Sequence, residues 1–239
     1  TMTYSLLLLL KGPMQSWGTE SRYATRATST LPSKSGVLGM LAAAEGRRRT
    51  DGVEDLAGLR FAVRVDQSGS LLRDYQTAQD WQNNPKSQAK LITRYFLTDA
   101  AFVAAIESED QDLLEGFAES LKRPVYPIFL GRRSCPAPPN IVLGVVNKSA
   151  VEALQDHSTW HAMKDYMRTC GQEVELPIYR DSLAGEVGTA CQDVPVSFDP
   201  EHRKYSWRTV VQKEFATVEN PIEPENRRPD PFLEAVMNV

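Results

Sequence analysis

The run Thr3-Tyr-Ser-Leu-Leu-Leu-Leu-Leu-Lys-Gly-Pro13 decides the fold. Its apolar part is too short for a helix of ordinary length and is stopped by Gly12-Pro13, so Thr3 to Lys11 reads as a buried strand. A long polar loop follows, and Ser33 or Ser35 then caps a helix through Val37, Leu38, Met40, Leu41, Ala42 and Ala44, which Gly46 ends. Arg60 to Asp66 alternates, with Phe61, Val63 and Val65 on one face and Arg64 on the other, the period of a half-buried strand. Leu71-Leu72 and Ile92 to Leu97 have strand character and bracket the polar stretch Gln67 to Thr98, which predicts a protruding hairpin. Ala101 to Ile106 is a further strand. From Asp110 to Leu121, Leu113, Leu114, Phe117, Ala118 and Leu121 fall on one helical stripe. The helix dipole is matched by Glu109, Asp110 and Asp112 at its start and by Lys122 and Arg123 at its end. After Tyr126 to Leu130 and a Gly-Arg-Arg-Ser-Cys-Pro loop, Ile141 to Val146 is the next strand. Strand, helix, strand, strand, helix, strand, with a hairpin interrupting the middle pair, is an α+β, ferredoxin-like order. That topology hosts RNA recognition among many functions and does not choose between them.

Beyond residue 150 the pattern predicts one helix from Ser149 to about Cys170, then short strands near 173–179, 194–198 and 206–215. The expected division is 1–148 for the ferredoxin-like unit with its hairpin at about 67–98, 149–218 for a smaller C-terminal region, and 219–239 for a Pro-rich tail.

With 41% hydrophobic and 24% charged residues, a disordered or collagen-like chain is excluded. The longest purely aliphatic run, Leu6 to Leu10, falls far short of the roughly 20 residues that cross a membrane. Cys135, Cys170 and Cys191 are an odd number without a C-x-x-C pair, so no disulfide framework or zinc site is suggested and a reducing cytoplasm is expected. The net charge of -4 argues against nucleic acid until it is divided along the chain. Residues 1–149 hold 18 basic against 15 acidic side chains, and residues 150–239 hold 9 against 16. The basic excess lies before Thr98, and the acidic half is expected to face protein or solvent.

Chemistry-bearing residues cluster in the basic half. Gly12-Pro-Met-Gln-Ser-Trp-Gly18 joins a rigid turn, an amide able to read a base edge at Gln15, a hydroxyl at Ser16 and a stacking ring at Trp17; packing of Trp17 on the core competes equally. In Pro32-Ser-Lys-Ser-Gly36, free N–H groups, the hydroxyls of Ser33 and Ser35 and the Lys34 ammonium converge on a phosphate, or form a plain helix cap. The Walker spacing is missing, which disfavours a nucleoside triphosphate. Arg22 and Thr25-Arg26-Ala27-Thr28 add cations and hydroxyls. Arg47-Arg48-Arg49 reads as a solvated charge run. Leu72-Arg73-Asp74-Tyr75 and Arg94-Tyr95 interleave Arg with Tyr, which suits a single-stranded polynucleotide, although Arg73 is also able to pair with Asp74. Arg132 and Arg133 share a tight loop suited to phosphate. The histidines, His157, His161 and His202, lie in the acidic half, remote in sequence from these loops. His157 and His161 are four apart but lack the H-E-x-x-H glutamate, so no metal or other cofactor is expected.

Taken in order, Gly12-Pro-Met-Gln-Ser-Trp-Gly18, Thr25-Arg26, Pro32-Ser-Lys-Ser-Gly-Val-Leu-Gly39, Leu72-Arg-Asp-Tyr75, Asp99-Ala-Ala-Phe102 and Leu130-Gly-Arg-Arg-Ser-Cys-Pro136 resemble the CasD family of CRISPR-associated proteins, the type I-E branch of the fifth Cas family. The resemblance runs over about residues 2 to 215. It implies an RRM-like RAMP domain with a thumb hairpin, and a non-catalytic, cytoplasmic subunit of the Cascade complex. Such a subunit holds the 5′ handle of the CRISPR RNA beside the backbone subunit CasC and the large subunit CasA. CasB and CasE belong to the same complex, target DNA is reached indirectly, and no membrane is involved. The RNA contacts it implies are Gln15, Ser16, Trp17, Arg26, Lys34, Ser35, Arg73, Tyr75, Arg94, Arg132 and Arg133. Relatives of another subtype cleave precursor RNA, so a metal-independent endoribonuclease is the alternative.

Overall fold

The computed structural model describes residues 2–18 and 25–222; Arg22 and the tail from residue 223 lie outside the described residues. In chain order the elements are β1 (Tyr4–Lys11), β2 (Met14–Gln15), β3 (Thr25–Arg26), α1 (Lys34–Glu45), α2 (Glu54–Ala57), β4 (Arg60–Gln67), β5 (Ser70–Ala78), β6 (Lys90–Thr98), β7 (Ala101–Ser108), α3 (Gln111–Lys122), β8 (Val142–Val146), α4 (Ala150–Asp156), α5 (Lys164–Arg168), β9 (Glu173–Asp181), β10 (Thr189–Ser197) and β11 (Lys204–Glu219). The protein is thus α+β and mostly strand.

Its main sheet has seven strands in the order β10-β11-β9-β4-β7-β1-β8. β1 lies between β7 and β8, antiparallel to both. Its leucines supply both faces: Leu6, Leu8 and Leu10 pack under α1 and α3, while Leu7 packs under α4 with Ala62, Val103 and Leu154. Each fully buried leucine contributes roughly 1.5–3 kcal/mol of transfer free energy, which makes this strand the spine of the fold. Ser33, not Ser35, caps α1, accepting from the Gly36 N–H, and Gly46 ends the helix in the left-handed region at φ 86°. The C-terminal strands extend the same sheet, because β9 pairs with β4 through Ala62, Val63 and Arg64.

That extension overturns two expectations. Arg64 does not face solvent: both faces of β4 are covered, and its side chain is wholly buried against Asp66 at 2.8 Å. The helix expected over Ser149 to Cys170 is two short helices separated by a loop. The reason is Arg64 itself, whose guanidinium donates to the carbonyls of Leu154 (3.0 Å), His157 and Thr159 (2.7 Å). Carbonyls that would continue the helical ladder satisfy the buried cation instead, and the chain leaves the helix there.

The hairpin forms as β5 and β6, paired from Ser70↔Thr98 to Ala78↔Lys90. It belongs to a separate sheet that also takes in β2 and β3. The short β3 runs parallel to β6, setting Arg26 opposite Arg94. No helix among the described residues is long and apolar enough to cross a membrane.

Candidate nucleic-acid interface

Four segments far apart in sequence meet at the base of the hairpin. The Ser16 N–H donates to the Leu130 carbonyl (3.1 Å), the Ser16 hydroxyl to the Tyr95 carbonyl (3.1 Å), and the Ser29 N–H to the Trp17 carbonyl (2.6 Å). Gly131 makes this convergence possible. It sits at φ +88°, and a Cβ there would lie 1.8 Å from the Ser16 carbonyl oxygen.

On this junction stand three guanidinium groups. Arg26 is exposed on β3, Arg94 is its neighbour on β6, and Arg132 reaches across from its loop. Arg132 donates to the carbonyls of Tyr95 (3.3 Å), Arg26 (3.1 Å) and Ala27 (3.2 Å), and lies 5.0 Å over the Phe96 ring. Partial burial, then the like charges of Arg94 and Arg26, hold its pKa below the ordinary guanidinium value. Asp74 stands across the ladder from Arg94, yet no ion pair within 4.0 Å joins any of the three to a carboxylate among the described residues. The Arg94 Nε–H is buried without a partner among the described residues. Crowded, uncompensated cations with a spare donor form a site that an anion relieves.

Arg26 and Arg132 line a groove of about 890 Å³. Its other walls include Ser16, Trp17, Ser33, Ser35 and Gly131 and, from the acidic half of the chain, Gln192, Arg203, Lys204 and Tyr205. A second depression shares Ser35, Gly36, Gly131, Arg203 and Tyr205 with it and runs along α1, where Arg47, Arg48, Arg49 and Arg133 line it. Arg47 is tied to Glu45 (2.8 Å) and Asp55 (2.6 Å), and those bonds raise its pKa. Arg48, Arg49 and Arg133 are exposed and have no ion pair among the described residues.

Several expected contacts stand elsewhere. Gln15 is fully buried; its amide donates to the carbonyls of Leu10 (2.9 Å) and Ala100 (2.9 Å), and its oxygen accepts from the Trp17 indole (3.0 Å). No donor of that amide is left to read a base. Trp17 is equally buried, and a Cβ on Gly36 would come within 2.9 Å of its ring, so it braces α1 from the wall of the groove that it helps to line. Of its two sequence readings, packing on the core is the one the structure bears out. Lys34 is also withdrawn from the set: its ammonium pairs with Asp181 at 3.0 Å, and its N–H donates to Asp193 at 2.7 Å. A carboxylate of the protein's own C-terminal region occupies the helix N-terminus where a phosphate was expected. Asp193 is buried, and burial, the largest influence on it, works to raise its pKa. Hydrogen bonding and charge from Arg208 outweigh burial and leave it lowered.

Arg73 and Tyr75 are exposed with the guanidinium 5.8 Å from the ring. Their ladder partners are Tyr95 and Thr93, whereas Arg94 pairs with Asp74, so pleating turns them to the other face of the hairpin from Arg94. His157 and His161 lie on the loop after α4, their Nε2 atoms 2.8 Å apart, outside the groove. His202 precedes groove residue Arg203 in the chain.

Gln192, Arg203, Lys204 and Tyr205 are groove residues that sequence reasoning missed. Two cations followed by an aromatic ring were the available signal, and the acidic average around them masked it. Part of that acidity is spent internally: Asp181 and Asp193 pair with Arg208 at 2.7 and 2.6 Å, and Glu186 and Glu214 with Arg180 at 2.6 and 2.7 Å.

Comparison with known proteins bears on this geometry. The family model described as "CRISPR-associated protein (Cas_Cas5)" matches residues 5–211. The chain is 33% identical over 161 residues, 60% of its length and 72% of the relative's, to the "CRISPR system Cascade subunit CasD" of Escherichia coli (strain K12). A chain of the structure called "CRISPR RNA-guided surveillance complex" superposes with a TM-score of 0.76 at 29% identity, covering 98% of this chain and 99% of that one. Another, called "Crystal structure of Cas protein", gives 0.64 at 34% identity over 93% and 98%.

Proposed function

The chain belongs to the Cas5 family of CRISPR-associated proteins, and from that premise we propose that it is the CasD-type subunit of a cytoplasmic type I-E Cascade complex, holding the 5′ handle of the CRISPR RNA in the arginine-lined groove. The observation that carries this reading is the cluster of Arg26, Arg94 and Arg132, uncompensated among the described residues and with a buried, unpartnered Arg94 donor. Phosphates of a single strand meet that requirement, and Tyr205 offers a ring for a base beside them. Contacts are assigned to Arg26, Arg94, Arg132, Arg133, Ser16 and Ser35, joined by Arg203, Lys204 and Tyr205. Arg73 and Tyr75, on the other face of the hairpin, are assigned to RNA or to the backbone subunit CasC where the thumb reaches it. CasA adjoins the same end of the complex, with CasB and CasE elsewhere in it and target DNA reached only through them.

We read residues 1–148 as a ferredoxin-like RAMP unit, 149–218 as its smaller companion and the remainder as a tail. The antiparallel order β8-β1-β7-β4 supports the first assignment. The role is binding rather than cleavage. A ribonuclease reading would rest on His202, the chain neighbour of groove residue Arg203, as general base.

The test is reconstitution with CasA, CasB, CasC, CasE and CRISPR RNA. Arg26→Glu with Arg94→Glu is expected to abolish nuclease protection of the handle, and unchanged protection would overturn the assignment. Incubating the protein alone with repeat RNA and EDTA is expected to leave the RNA intact. Specific cleavage that disappears in His202→Ala would establish the ribonuclease instead.

A further inference from the structure

A second cavity, of about 280 Å³, borders the groove at Ser33, which lines both. Its walls are apolar and partly flat: Leu31 and Pro32 from the loop before α1, Phe61 and Val63 from β4, Tyr179 from β9 and Val210 from β11. Polar side chains, those of Ser29, Thr189 and Gln212, also line it. Charge is present only in compensated form. Arg208 donates to Asp193 (2.6 and 2.9 Å) and to Asp181 (2.7 Å), and lies 5.4 Å over the Phe61 ring, so it has no net charge to offer a ligand. A phosphate therefore gains nothing by entering. The volume is below the roughly 300–1,000 Å³ of sites for drug-sized ligands. What such a space takes is a small, flat, neutral group with hydrogen-bonding edges.

We infer that this cavity is a pocket for one unstacked nucleobase of the RNA whose phosphates lie in the adjoining groove, with Gln212 and Thr189 reading its edge. The inference rests on the groove reading and extends it from charge recognition to base selection. Cations placed beside a polar-edged apolar slot divide the work: the groove attracts any single strand, and the slot selects by base. Cys191, on the wall at β10, is a position at which a larger side chain fills the slot without touching a groove cation.

The test uses the full-length protein and handle oligoribonucleotides from its own repeat, made abasic at each position in turn, with binding followed by fluorescence anisotropy. One abasic position is expected to cost roughly 5- to 150-fold in affinity, the worth of one stacked base. Cys191→Phe is expected to lose the same factor on intact RNA and nothing on RNA abasic at that position. Gln212→Leu, a change at an exposed side chain, is expected to flatten the preference among the four bases there while leaving the affinity for abasic RNA as in wild type. The pocket is refuted if no single abasic position stands out, if Cys191→Phe weakens intact and abasic RNA alike, or if Gln212→Leu keeps the wild-type base preference. Wild-type protein that binds no handle RNA refutes the groove itself.

Discussion

Removing the Asp193 carboxylate tests whether the start of α1 is a structural lock. In Asp193→Ala the Lys34 N–H loses its acceptor, and Arg208 loses two of its three carboxylate bonds, at 2.6 and 2.9 Å. Arg208 keeps Asp181 at 2.7 Å, so the cation is not wholly stranded. Breaking a buried pair from one side costs about 3–5 kcal/mol, against a total stability of roughly 5–15 kcal/mol. For a protein of this size that corresponds to a fall in Tm of about 6–20 °C, since each kcal/mol shifts Tm by roughly 2–4 °C. Because the folded-state pKa of Asp193 is lowered, its contribution is complete above the unfolded value of 3.8 and is lost as pH falls through the lower folded value. The penalty should therefore be constant from pH 8 to pH 5. Circular dichroism melts of wild type and variant across that range measure it. A fall in Tm of less than about 2 °C at pH 7, the size of an ordinary surface change, would refute the lock.

Gly131→Ala places a Cβ against the Ser16 carbonyl at a positive φ, so both Tm and RNA affinity should fall, as melts and anisotropy would show. Trp17→Phe keeps a ring beneath Gly36 and should bind handle RNA with wild-type affinity in the same anisotropy assay. A loss there that is not matched in Tm would return Trp17 to the contact set. Burial, the first cause, lowers the pKa of His161 to about 4 from 6.5, with further lowering from His157, Arg64 and Lys11 and opposition from Asp66. The unfolded chain then takes up a proton first, so stability should decline as pH falls from 6.5 towards 4; His161→Gln should flatten that part of the Tm profile.

Much of the fold was legible because local pattern and tertiary fate agree. The leucines of β1 alternate between two cores, Ser33 and Gly46 bound α1, and the stripe on α3 faces inward with Leu114, Phe117, Ala118 and Leu121 buried. The break between α4 and α5 was not legible, since it depends on where Arg64 goes, and that follows from β9 extending the sheet past β4. The site was half legible. Arg26, Arg94 and Arg132 were found as separate motifs, but their convergence rests on a parallel pairing between a two-residue strand and the hairpin. Lys34 misled because its partners Asp181 and Asp193 lie about 150 residues away in sequence. Arg203 and Lys204 were not singled out because they lie in the acidic half of the chain, although several acids of that half are committed to Arg180 and Arg208.

Phosphate recognition by the groove is measured most directly by the salt dependence of RNA affinity. Binding of handle RNA is predicted to weaken linearly in log–log form, with each phosphate contact contributing a slope of about −0.7 for a single strand. Arg26→Ala and Arg203→Ala should each reduce the steepness by about that amount, and the double variant by about twice as much. An affinity indifferent to salt, or slopes unchanged in both variants, would contradict the claim that this groove holds the RNA.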